Sequence, residues 1–292
     1  KHEGFSGFAL EMFNKSTEET RNRCFGLNRA LPGQRLPENH QLDAIFSEAM
    51  TTTADDGLSF YGKVALVTGA AVGNIAFEVI RGLLMGGARV IVCTAFPEEG
   101  SICSYEVFKD LYQSCGSNGS SCVVVPMNGM SAIDCSRVID HVFDAVLPSL
   151  QPLPLNHASS APSIPHLDLF VPFAAIPETG RTIQMIDDRS EAAHRLMLTN
   201  VHRCIGRIME KNPRGVPPCH VILPLSPNKG LFGGDGLYGE SKIGLETLFA
   251  KWKSEGWQDR VSIVGAEMGW VRGTGVMSHN DMVAPDIEKD IG

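Results

Sequence analysis

The sequence predicts an α/β fold: an open parallel sheet with helices on both faces. Three observations lead there. From Gly62 onward, short β-branched apolar runs alternate with helix-like stretches. The runs are continuously apolar rather than alternating, as expected of strands covered on both sides. The first run ends in TGAAVGNIA (68–76), a glycine loop that opens a helix. That placement is the one used by doubly wound, Rossmann-like sheets.

The elements follow in order. KVALVT (63–68) reads as the first strand, and NIAFEVIRGLLMGGA (74–88) as a helix closed by two glycines. ARVIVCT (88–94) is the second strand. SYEVFKDLYQSCG (104–116) carries apolar residues at helical spacing. SCVVVPM (121–127) is the third strand, followed by helix-like DCSRVIDHVFDAVL (134–147). LDLFVPFA (167–174) is the fourth strand, and RSEAAHRLMLTNVHRCIGRIMEK (189–211) a long amphipathic helix. CHVILPL (219–225), the helix YGESKIGLETLFAKWKSEG (238–256) and RVSIVGAEM (260–268) complete the alternation. The Pro/Ser-rich stretch 148–166 sustains neither period and reads as a loop inserted before the fourth strand.

Residues 1–58 are mixed and polar, with helix-like pieces around 8–25 and 41–50. They carry no recognisable chemistry and are expected to be a linker or the remnant of a preceding domain, with one α/β domain over 59–292. The first residue is Lys1, and Gly292 directly follows PDIEKDI, so both ends are expected to continue in a longer chain.

A length of 292 residues with 43% apolar and 20% charged residues fits a globular chain with a sizeable core. The net charge of −8 argues against a general nucleic-acid binder, which needs a basic surface to displace counterions. No apolar run is long enough for a membrane helix, and no signal peptide is recognisable. The eight cysteines lack metal-ligand spacing, so no metal is expected. They read as reduced thiols of a cytoplasmic protein.

Two motifs carry chemistry. In the glycine loop, Gly69 and Gly73 allow a tight turn and close approach of a ligand. The helix after it aims unpaired N–H groups at the same place, which suits a pyrophosphate. Further on, Tyr238 and Lys242 stand four residues apart, on one face of a helix. An ammonium beside a phenol favours phenolate and is expected to lower the tyrosine pKa toward that of a useful proton donor. GGDG just before Tyr238 reads as a mobile loop on the substrate side.

These motifs together resemble the short-chain dehydrogenases/reductases. Tyr238-Gly-Glu-Ser-Lys242 has that family's Tyr-x-x-x-Lys form, and TGAAVGNIA is similar to its TGxxxGxG loop. The resemblance implies roles for Ser226, in VILPLSPNKG, as a hydrogen-bond partner of the substrate carbonyl. It implies a water-holding role for Asn200, in LMLTN. Cofactor-binding roles fall on Thr68, Gly69, Gly73, Ile75, Thr94, Ala174 and Lys242, on Asn128 near the adenine, and on Thr274 in GWVRGTG.

A narrower resemblance is to the ketoreductase domain of the fungal type I fatty acid synthase alpha subunit. It is carried by VPFAAIPETG (171–180), RLMLTN, VILPLSPNKGLFGGDGLYGESKIGLETLF (221–249) and GAEMGWVRGTGVMS (265–278). Phe173-Ala174-Ala175 stands where most short-chain reductases have Asn-Ala-Gly. The resemblance covers about residues 55–290. It implies reduction of a 3-oxoacyl group on acyl carrier protein by NADPH, other synthase domains as partners, and an oligomeric assembly.

One departure concerns the cofactor. Selectivity for NADPH normally uses a basic residue after the second strand. This chain has CTAFPEEG there, with Ala95 and Phe96 and then Glu98 and Glu99. NADPH therefore rests on the resemblance, and NADH stays open. Two other readings remain: a ketoreductase acting on polyketide or other carbonyl substrates, and a weakly active structural module of a synthase.

Overall fold

The structure, a computed structural model, describes residues 59–95, 99–117, 119–150, 164–231, 233–268 and 271. The expected linker (1–58), most of the Pro/Ser-rich insertion (151–163), Phe96, Glu98 and Thr274 lie outside them. All described residues but Ser59 belong to the unit Phe60–Gly292.

Six strands form one sheet: β1 (Val64–Thr68), β2 (Arg89–Thr94), β3 (Ser121–Pro126), β4 (Leu169–Pro172), β5 (Cys219–Leu225) and β6 (Val261–Glu267). Their spatial order is β3-β2-β1-β4-β5-β6, and every pairing is parallel. The helices between them are α1 (Ile75–Met85), α2 (Tyr105–Cys115), α3 (Ala132–His141), α4 (Asp188–His194), α5 (Asn200–Lys211) and α6 (Tyr238–Ser254). The alternation seen in the sequence is therefore a Rossmann-like doubly wound sheet. Its strand order reverses between β1 and β4, which is where such sheets bind ligands.

Side-chain alternation along the strands divides the core in two. Ala65, Val67, Val90, Val92 and Val171 face α1 and α2, packing on Ile80, Leu84 and Phe108. Leu66, Ile91, Phe170, Val221 and Leu223 face the other way, against Ile205 and Ile208 of α5 and Leu245 and Leu248 of α6. Because both faces are covered, the strands need apolar residues at nearly every position. The helix starts are marked by side-chain caps. Asn74, Ser104, Ser131 and Asp187 each accept a backbone N–H from the first turn of the following helix.

At the amino ends of the strands, buried Asp168 accepts from Val64 N–H and pairs with Lys63 Nζ at 2.9 Å. This pins β1 to β4 on the side away from the ligand crevice.

The long helix expected over 189–211 is not uniform. Between α4 and α5, residues Arg195–Thr199 form a π-helical stretch that ends at Asn200. A similar stretch, Val142–Val146, extends α3. Such widened turns rotate the following residues about the helix axis and recur at functional sites.

Candidate active site

The residues singled out from the sequence lie at the carboxyl ends of the strands. Thr68 ends β1, Thr94 ends β2, and Ala174 and Ser226 follow β4 and β5 within two residues. Thr68, Thr94 and Ser226 are buried.

The glycine loop is held from both sides. Gly69 and Gly73 have φ of 75° and 80°, values that L side chains rarely adopt. A Cβ on Gly69 would stand 2.5 Å from the nitrogen of Ala174, so glycine lets the β1 and β4 ends touch. Gly73 faces open space instead, leaving its backbone approachable. Gly69 N–H donates to Cys93 O at 3.1 Å, and Val72 N–H to Ile102 O at 2.9 Å. Thr94 Oγ1 reaches Ala70 O at 3.4 Å. Ile75 is the first residue of α1.

Asn74 organises this loop, and the sequence reading missed it. Its Nδ2 donates to Gly69 O at 2.7 Å while its Oδ1 accepts from Phe77 N–H at 3.0 Å. An asparagine directly before an apolar-periodic run is a helix-start signal, and that signal was available.

The catalytic candidates meet one another. Tyr238 opens α6 and is half-buried, and the nearby Ser226 hydroxyl acts to lower the pKa of its phenol. Lys242, one turn on, is buried, with Nζ 5.3 Å from the Tyr238 ring centroid. Ser226 Oγ also accepts from Asn228 N–H at 3.1 Å. Asn228 Nδ2 and Gly239 N–H both donate to Asp235 Oδ2, at 2.9 and 3.1 Å. Asp235 thus ties the Ser226 turn to the first turn of the Tyr238 helix, a link invisible in one dimension.

The electrostatics differ from the expectation for Tyr238. Burial raises its pKa above the ordinary value; the Ser226 hydrogen bond opposes this, and the Asp235 carboxylate adds to it. Lys242 does not pull the phenol down, because burial lowers the ammonium itself to about 8. The protein alone disfavours both charged forms.

Asn200 is buried at the end of the π-helical stretch. Its Nδ2 donates to Gly129 O at 2.6 Å and its Oδ1 accepts from Arg203 at 2.7 Å. Together with Thr68, Ala174 and Leu196 it lines a small crevice between the β1 and β4 ends and α5. Asn128 forms a local turn, its Oδ1 accepting from Met130 N–H at 3.1 Å and its N–H donating to Asp134. After β2, Ala95 and Glu99 are both exposed, and neither is basic.

No protein-family model matches the chain. The fatty acid synthase subunit alpha of Aspergillus oryzae is 46% identical to it over 266 residues, which is 90% of this chain and 14% of that protein. The chain is a relative of the fungal fatty acid synthase alpha subunits. It spans about one seventh of the length of such a subunit. Among solved structures, a short-chain type dehydrogenase/reductase from Mycobacterium ulcerans matches with a TM-score of 0.61 and 19% identity, over 77% of this chain and 73% of that one. The Pseudomonas aeruginosa RhlG/NADP active-site complex matches with a TM-score of 0.58 and 21% identity, over 80% and 82%. At that identity the likeness establishes the short-chain dehydrogenase/reductase fold for this alpha-subunit relative.

No helix among the described residues is long and apolar enough to cross a membrane.

Proposed function

We propose that the chain is a ketoreductase domain, spanning 59–292, that reduces 3-oxoacyl groups on acyl carrier protein to 3-hydroxyacyl groups with NADPH during fatty acid synthesis. The observation that carries this reading is Lys242 Nζ set 5.3 Å from the Tyr238 ring centroid, with the buried Ser226 hydroxyl acting on the same phenol. It lies at the mouth of a dinucleotide-type crevice, in a chain 46% identical to a fatty acid synthase alpha segment.

The crevice suits a dinucleotide. Gly73 leaves its backbone open at positive φ, and α1 aims its first turn at the same space. Thr68, Gly69, Gly73, Ile75, Thr94, Asn128, Ala174 and Thr274 are the positions that would hold the cofactor, with Lys242 on the nicotinamide ribose. A bound reduced nicotinamide supplies the hydride for C3 of the substrate. Ser226 then holds the ketone oxygen, and Tyr238 gives it the proton that completes the alcohol. Lys242 and Asn200 keep the proton path in place. Fixed donors around a developing alkoxide account for most of the acceleration.

Acyl carrier protein, the remaining synthase domains, an oligomeric assembly and a cytoplasmic location go with this function.

The segment after β2 favours a second reading of the cofactor. Ala95 offers no charge to a 2′-phosphate and Glu99 repels one, so NADH is the alternative donor. The test is consumption of NADPH and of NADH by the purified chain with a short 3-oxoacyl thioester. Turnover with NADPH is expected. Turnover with NADH alone keeps the reaction and changes the cofactor. Cofactor binding without turnover by either reverses the assignment in favour of a structural module.

A further inference from the structure

Glu178 takes no part in the chemistry above, yet its carboxylate is buried beside the catalytic helix. It sits in the loop after β4 and is 4% exposed. One oxygen accepts from Ser190 Oγ of α4 at 2.5 Å, and the other from Leu237 N–H at 3.0 Å. Leu237 is the residue directly before Tyr238 and occupies the cap position of α6. Its own side chain offers no acceptor, although helix starts leave several N–H groups without partners. A carboxylate from another segment takes that place, and its charge suits the positive end of the helix.

The surroundings are built to receive it. The Glu178 loop and the GGDG loop run side by side, with Gly180 N–H donating to Gly234 O at 2.7 Å and Gly236 N–H to Arg181 O at 3.0 Å. Gly236 has φ of 61°, and a Cβ there would stand 2.5 Å from Glu178 Cδ. Arg181 Nε lies 3.9 Å from the same carboxylate while its NH1 pairs with Asp187 at 2.6 Å. Helix α4 grips the catalytic helix a second time. His194 Nδ1 is 2.8 Å from Ser241 Oγ, which donates to Leu237 O at 2.6 Å. The Ser241 proton is thereby used, so Nδ1 of His194 carries the hydrogen of that contact. The two grips fall at residues 237 and 241, on either side of Tyr238.

We propose that Glu178 is a positioning residue for Tyr238: by fixing Leu237 it sets where the phenol stands relative to Ser226 and Lys242. On this side the GGDG loop is hydrogen-bonded to the Glu178 loop through Gly234 and Gly236. The proposal rests on Tyr238 being the proton donor, so the test includes a readout that does not depend on turnover.

Glu178→Ala and Glu178→Gln are compared in the full chain by three measurements. These are kcat with a short 3-oxoacyl thioester, cofactor Kd, and ionisation of ¹³Cζ-labelled tyrosine followed by NMR, with the Tyr238 signal assigned through Tyr238→Phe. Glu178→Ala is expected to lower kcat by about 100-fold, as misplacement of a reacting group by about 1 Å does. Cofactor Kd stays within about threefold of wild type. The Tyr238 signal titrates at lower pH as the phenol leaves its buried place. Glu178→Gln keeps an acceptor for Leu237 N–H and an amide for Ser190 Oγ, so it restores both readouts. If Glu178→Ala does not fold, Glu178→Asp replaces it, keeping the charge but withdrawing it by one methylene. Unchanged kcat and unchanged Tyr238 titration in the Ala or Asp variant overturn the proposal. So does loss of kcat and cofactor affinity together without rescue by Gln, which makes the role purely structural. If the wild type shows no turnover, the reductase reading falls and the Tyr238 titration alone decides this one.

Discussion

Lys242 Nζ stands 5.3 Å from the ring centroid of Tyr238, and burial disfavours the charged form of each. A neutral phenol beside an ammonium that titrates near neutrality has consequences for pH.

The first concerns the limb of the rate profile set by Lys242. Its ammonium is lowered to about 8, so in the free enzyme the proton is lost as pH rises through that value. The ratio kcat/KM reports the free enzyme. It is therefore expected to fall above pH 8 in the direction of carbonyl reduction. Lys242→Arg, which keeps its proton over the whole range, should abolish that limb even while lowering the plateau. A kcat/KM flat from pH 7 to 10 in the wild type would falsify the assignment.

The second concerns the proposed proton donor and its partner. Tyr238→Phe removes the hydroxyl and leaves the ring, so turnover should fall by at least about 1000-fold while cofactor Kd changes little. Ser226→Ala removes one hydrogen bond to the developing alkoxide and should cost about 100-fold in kcat. Stopped-flow and equilibrium titration on the same preparations separate the two effects.

The third contrasts two glycines of one loop. Gly69→Ala forces a Cβ against the Ala174 backbone at a positive φ. Clash and strain together should destabilise the fold by about 3 kcal/mol or more. Gly73→Ala meets open space and carries only the backbone strain, about 1 kcal/mol. Urea unfolding of the two variants should show this difference, and equal losses would mean that the β1–β4 contact is not what demands glycine at 69.

The fourth concerns alkaline stability. Burial pushes the Cys93 thiol from near 9 up to about 12. Between those values the unfolded chain has lost the thiol proton and the folded chain has kept it, so stability falls as pH rises. At pH 10 this one group contributes a loss of about 1.4 kcal/mol relative to neutral pH. Cys93→Ala should be less stable than wild type at pH 7 but lose less on going to pH 10. Identical pH dependence of the two proteins in urea melts counts against a buried, protonated Cys93.

Much of the architecture was legible before any coordinates. The strand runs at 63–68, 88–94 and 219–225 correspond to β1, β2 and β5 within a residue. Strands buried on both faces leave an unbroken apolar signature, and that signature is local. The π-helical stretch before Asn200 was not legible, because RLMLT has no composition that separates it from ordinary helix. It leads into Asn200, which turns inward to reach Gly129, 71 residues earlier in the chain.

The site divides in the same way. Motifs at fixed spacing, the 69–73 glycines and the Tyr238/Lys242 pair, could be read from the chain because one turn of backbone decides their geometry. Glu178 and Asp235 could not, since each acts across a gap that only the folded loops close.

By itself, then, the sequence determined the order of strands and helices, the glycine loop and the face shared by Tyr238 and Lys242. Periodicity and local backbone chemistry are properties of neighbouring residues. Tertiary structure alone decided that the phenol is raised rather than lowered in pKa. It also decided that the GGDG loop is hydrogen-bonded to the Glu178 loop and that a buried carboxylate caps the helix that begins at Tyr238. Burial and long-range hydrogen bonds depend on which distant segments meet, and no local spacing encodes that.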